Sequence, residues 1–126
     1  MMLFKCRNGK KDSAKGYAVA SDPNDVTKAA NFIVNFDDHP DTFKTTNYEV
    51  LSTDYDSYAI VYDCRNAEYP VKVPGANAEY LYVMTRDKFP DASLTSQVYN
   101  DLKKADFDTE PLEVTVQENC PEFPPE

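Results

Sequence analysis

The chain contains no tryptophan, one histidine and three glycines in 126 residues. With glycine so scarce, sharp turns must rest on Asp, Asn and Pro, which favour turns for separate physical reasons. The single histidine is His39, in the acidic loop "FDDHPD". Any chemistry that pairs a cysteine or serine with a histidine could use only this residue. Its ordinary reading is a solvated loop side chain. The three cysteines, Cys6, Cys64 and Cys120, form no CxxC pair, so zinc-ligand spacing is lacking and no metal site is expected. Positive charge is also short. Thirteen Lys and Arg stand against 22 Asp and Glu, a formal charge of −9. Nucleic acid and anionic membranes both need a basic face, so neither is an expected partner. No apolar run approaches the roughly 20 residues of a membrane span. The opening "MMLFKC" has no apolar core of a signal peptide.

What is present is a set of short extended segments separated by polar turns. The length suits one domain, and the nine Tyr and seven Phe suit strands with large side chains. The segments are Met2–Cys6, Ala14–Ala20, Asn31–Phe36, Asn47–Ser52, Tyr58–Cys64 and Ala78–Arg86. Asn8-Gly9 is a hairpin signal between the first two. Six consecutive strands on short links predict an antiparallel meander or barrel. The pattern then changes. Leu94, Val98 and Leu102 recur at steps of four, which predicts a helix over about 93–105. Asp91 and Ser93 supply capping candidates, and Lys103 and Lys104 suit the negative end of the helix dipole. Leu112–Gln117, "LEVTVQ", alternates again and predicts a short final strand. A proline-rich tail occupies 119–126.

A single helix after a meander must bury its stripe on the outside of the sheet. The last long strand is apolar on both faces. Leu81 and Val83 therefore face the helix, and Tyr80, Tyr82 and Met84 face inward. A tyrosine-lined interior suits a ligand that is apolar in the middle and polar at one end. The plain alternative is that the tyrosines only fill the core.

In this order the motifs resemble those of the lipocalins. "NYEVLSTDYDSYAIVYDC" is similar to that family's second signature, with Thr53, Asp54 and Tyr55 at the corner between two barrel strands. "EYLYVMTR" followed by a proline link and a helix is similar to the third, with Arg86 as its arginine. "LEVTVQENCP" resembles the closing strand with its terminal cysteine. The resemblance spans essentially the whole chain. It implies a mainly β, up-and-down barrel with one C-terminal helix outside. The first signature, Gly-x-Trp, is absent, so about six barrel strands are expected and the barrel is incomplete. In the family the arginine stacks on that tryptophan. Arg86 lacks this partner, so its implied role is structural.

The resemblance implies that Cys64 and Cys120 each pair with a cysteine of the missing front end, leaving Cys6 as an extra. Pairing of Cys6 with Cys64 or Cys120 is left open by the sequence. The implied function is binding and transport of a small hydrophobic ligand in secretions: a pigment such as biliverdin, a retinoid, a steroid, a carotenoid or a fatty acid. No cofactor is required beyond such a ligand or chromophore. The implied inward set is Phe32, Val34 and Phe36; Tyr48, Val50 and Ser52; Ala59, Val61 and Asp63; and Tyr80, Tyr82 and Met84. Asp63 would be a polar anchor for donors such as pyrrole nitrogens. The alternative is a secreted protein-interaction or inhibitor lipocalin with no small ligand, using loop Asp37–Asp41 and link Arg65–Asn77. An enzyme is not expected. The only thiol outside the implied pairing positions is Cys6, with no base beside it. Losing two adjacent strands would expose two edges. An open, incomplete barrel is expected, with homo-oligomers joined through those edges and a shrunken sheet as alternatives.

Overall fold

The computed structural model describes residues 2–7, 9–66 and 77–122. Six antiparallel strands form one sheet in sequence order: β1 (Met2–Arg7), β2 (Lys10–Ala20), β3 (Asn31–Phe36), β4 (Tyr48–Thr53), β5 (Tyr58–Asn66) and β6 (Asn77–Thr85). They form a half-barrel, the incomplete lipocalin-like architecture expected. Arg7 pairs with Lys10 across the first hairpin. Gly9 sits there at φ 74°, a left-handed conformation that glycine adopts without steric cost. β2 begins four residues earlier than its apolar pattern indicates, because "KKDS" is polar yet pairs fully with β1. Gly16 is buried where β2 meets β3. A Cβ there would lie 2.3 Å from the Asn35 carbonyl oxygen, so only glycine fits this crossing.

The helix α1 spans Ala92–Lys104, within a residue of expectation at each end. Its N-cap is Asp91, whose carboxylate accepts from the Leu94 amide at 2.8 Å and from the Ser93 hydroxyl at 2.7 Å. The Leu94 amide chiefly holds the Asp91 carboxyl below its ordinary pKa, as a cap stabilising the charged form should. The helix ends in a Schellman arrangement. Asp106 takes φ 62°, its amide bonds to the Lys103 carbonyl, and the Phe107 amide bonds to the Leu102 carbonyl at 3.0 Å. An aspartate thus does the work usually given to glycine, as the shortage of glycine requires.

The predicted stripe is buried as expected. Val98 and Leu102 pack with Ile60, surrounded by Tyr58, Leu81, Val83, Leu94, Phe107 and Leu112. This is the main packed cluster, on the outer face of β5 and β6. Burying each such side chain is worth about 1.5–3 kcal/mol.

The chain after the helix departs from expectation. Leu112–Gln117 forms no strand; it is irregular and makes no ladder with any described residue. It runs from Leu112, beside β6, to Cys120, which is disulfide-bonded to Cys6 on β1. Arg7 meets Glu113 at 3.6 Å on the way. The Cys6–Cys120 bond corrects the expectation that Cys6 is an extra and that the partner of Cys120 lies upstream. Lysines and arginines crowd the first hairpin, so its sequence hides that Cys6 is carried to the outer face, where the tail returns. Cys64 is free and exposed.

Candidate ligand-binding face

Residues that oppose each other across an antiparallel ladder share a face. Val61 opposes Tyr82, Ala59 opposes Met84 and Asp63 opposes Tyr80. Val50 opposes Val61, and Phe32 opposes Tyr48. Phe32, Val34 and Phe36 oppose Ala20, Ala18 and Gly16. Eleven of the twelve inward residues therefore lie on one face, away from the helix. Ser52 does not. The register shifts between Val50 and Ser52, so Ser52 opposes Ile60 on the helix side. Its hydroxyl lies 3.2 Å from the Tyr58 hydroxyl, on that same side. A bulge adds one residue and moves everything beyond it to the other face. Thr53 takes the inner position opposite Ala59.

The inner face is aromatic and partly open. The Phe32 and Tyr48 rings meet edge to face, with centroids 6.5 Å apart, a favoured aromatic geometry. The Tyr48 hydroxyl reaches the Met84 sulfur at 3.9 Å, spanning β4 to β6. Val61 and Asp63 are buried, whereas Tyr82 is 52% and Met84 42% exposed. Burial raises the Tyr48 pKa above its ordinary value. Beside these rings, Gly16, Ala18 and Ala20 form a wall of small residues. The alternation of small side chains in "GYAVA" is the sequence signal of this wall.

The Thr53–Tyr55 corner is held from within. The Asp54 carboxylate accepts from the Ser57 hydroxyl and from the amides of Ser57 (2.7 Å), Asp56 (3.0 Å) and Tyr58 (3.1 Å). The Ser57 hydroxyl is the leading cause holding its carboxyl far below the ordinary range. Thr53 Oγ1 accepts from the Tyr55 amide and donates to the Tyr58 carbonyl. This pins Tyr55 at φ 63°, an uncommon conformation for a bulky residue. Arg86 closes the corner. Its Nε donates to the Asp56 carbonyl at 3.0 Å and its backbone amide to the Ser57 carbonyl at 2.8 Å. The arginine has a backbone partner in place of an aromatic ring.

Cys64 lies on the outer register, opposite Glu79. The Tyr62 hydroxyl donates to Glu79 Oε1 at 2.8 Å. That bond, then Cys64, raises the Tyr62 pKa strongly.

The half-barrel with an outer helix and an aspartate corner is consistent with an incomplete lipocalin barrel, and sequence comparison supports a lipocalin family relationship. The relatives are apolipoprotein D: 34% identical over 76 residues in Macaca fascicularis, 32% over 76 in Cavia porcellus and 30% over 79 in Oryctolagus cuniculus. The matches cover 60–63% of this chain and 38–39% of each relative, so the chain matches well under half the length of these proteins. No family model matches the chain.

Proposed function

We propose that the chain is one lipocalin-like domain over residues 1–126 that binds and carries a small hydrophobic molecule on its inner face. The observation that carries this reading is the exposed patch of Tyr82 and Met84 beside Tyr48, Phe32 and buried Val61. Apolar rings with hydroxyls at one side suit a bilin, retinoid, steroid, carotenoid or fatty acid. Burying such a ligand covers surface that the half-barrel leaves wet. The reading is of a carrier and not an enzyme, in an extracellular setting. A disulfide between distant residues supports that setting, since such bonds persist in oxidising compartments.

The test is a titration of the oxidised chain with biliverdin, retinol and oleate. Tyrosine emission serves as reporter, because no tryptophan masks it. Saturable quenching by at least one ligand, weakened by Tyr82→Ala, is expected. If no ligand gives a saturable change, the carrier reading fails, and a protein-binding role through the exposed loop Asp37–Asp41 takes its place.

A further inference from the structure

The seam between β3 and β4 is short. Its ladder pairs are Asn31 with Glu49 and Phe32 with Tyr48. Ala30, Phe32 and Val34 all turn backbone groups toward this seam. The Val50 amide donates to the Ala30 carbonyl at 3.0 Å, and the Asn47 amide donates to the Phe32 carbonyl at 3.1 Å. At Val34 a side chain takes over from the main chain. The Val34 amide donates to Asn47 Oδ1 at 2.7 Å, and Asn47 Nδ2 donates to the Val34 carbonyl at 2.9 Å. A carboxamide carries the same kinds of donor and acceptor as a peptide group. Asn47 therefore makes with its side chain the rung that a strand would make with its backbone.

The next rung is made in the opposite sense. The Phe43 amide donates to Asn35 Oδ1 at 2.8 Å, and Asn35 Nδ2 donates to the Phe43 carbonyl at 3.0 Å. Asn35 is only 3% exposed. Two carboxamides thus sew residues 43–47 alongside β3. The consequence falls on Tyr48, the first residue of β4. Strand ends fray at little cost when nothing holds them. The Tyr48 ring meets Phe32, and its hydroxyl reaches the Met84 sulfur, so it joins β3 to β6 across the inner face. Asn47, directly before it, is tied to Phe32 through its backbone and to Val34 through its side chain.

We propose that Asn47, backed by Asn35, is a positioning residue of the inner face: it holds the Tyr48 ring in place before a ligand arrives and touches no ligand itself. This role rests on the carrier reading above and names a residue that sets the affinity of that face for a ring-bearing ligand. A ligand that meets an ordered Tyr48 does not have to order it on binding.

The test compares Asn47→Leu, which removes both side-chain bonds, with Asn47→Asp, which keeps the acceptor for the Val34 amide and loses the donor. Glu49→Gln, two residues further on and on the outer register opposite Tyr62, is the control. The full oxidised chain is titrated with retinol and followed by tyrosine emission. Asn47→Leu should bind about three- to tenfold more weakly than the parent, the loss expected when one side chain must be ordered on binding. Asn47→Asp should fall between them, and Glu49→Gln should match the parent. In the ligand-free chain, the Val34 amide should exchange faster in Asn47→Leu than in Asn47→Asp. The nuclear Overhauser contact between the Tyr48 and Phe32 rings should weaken in Asn47→Leu. A merely structural role would lower the melting temperature and leave that ring contact in the folded chain unmoved. Parent-like retinol affinity in Asn47→Leu, an undisturbed ring contact in it, or an equal loss in Glu49→Gln would each overturn this role while the carrier reading stands. A parent chain that binds none of biliverdin, retinol and oleate overturns the carrier reading, and this role with it.

Discussion

The two faces of β5 and β6 are built from interleaved residues of the same strands, yet they end up differently. On one face Ile60 is covered by Val98 and Leu102 of the helix. On the other, Val61 is buried but its neighbours Tyr82 and Met84 stay about half exposed. The helix face finds its cover nearby in sequence, since α1 begins seven residues after β6 ends. The inner face needs an opposing wall, and six strands in sequence order do not curl far enough to provide all of it. Stability should therefore reside mainly on the helix face, and binding on the inner one.

The largest test of that division is the staple that closes the helix side. Cys6 and Cys120 are 114 residues apart, so their bond restricts a very long loop in the unfolded chain. Cys6→Ser with Cys120→Ser should lower unfolding free energy by about 4–5 kcal/mol on the chain-entropy estimate. Urea denaturation measures this. Next is Leu102→Ala, which empties a fully buried position and should cost about 2–5 kcal/mol. If ligand affinity per folded molecule falls in either variant, the faces are coupled and the division is wrong.

A smaller effect is expected at the corner that joins β4 to β5. The Asp54 carboxyl is held below its ordinary value near 3.8, first by the Ser57 hydroxyl and then by backbone amides. A depressed carboxylate pKa contributes stability that is present above the unfolded value and lost as pH falls through the folded one. Asp54→Asn should lower Tm by several degrees at pH 7 and flatten the loss of stability below about pH 4. Thermal melts across pH 2–7 would show it. An unchanged acid limb would mean that the corner does not govern that transition.

Much of this was legible in the sequence because it depends on local pattern. The helix declared itself through Leu94, Val98, Leu102 and the Asp91 cap. The six strands declared themselves through alternation between turn residues. Three things were not legible. Alternation assumes an unbroken register, so it could not see the bulge that carries Ser52 outward. Alternation also reports only that a segment can be a strand. Leu112–Gln117 has the pattern and lacks the neighbour, so it stays irregular. The Cys6–Cys120 pairing was hidden for a related reason: it depends on where the tail returns in space, which no spacing encodes.

The most discriminating comparison uses two adjacent residues. Leu81 points to the helix and Tyr82 to the inner face. Leu81→Ala removes packing beneath Ile60 and should cost roughly 2 kcal/mol, with ligand affinity unchanged. Tyr82→Ala removes a ring that is already half in water, so its stability effect should stay within about 0.5 kcal/mol. Its effect on biliverdin or retinol affinity should be far larger, about tenfold, because the half of the residue left in water is the part a ligand would cover. Paired urea melts and tyrosine-emission titrations on the two variants measure both quantities. If Tyr82→Ala destabilised the fold as much as Leu81→Ala, the inner face would be core, and the tyrosines would be packing against a wall rather than waiting for a ligand.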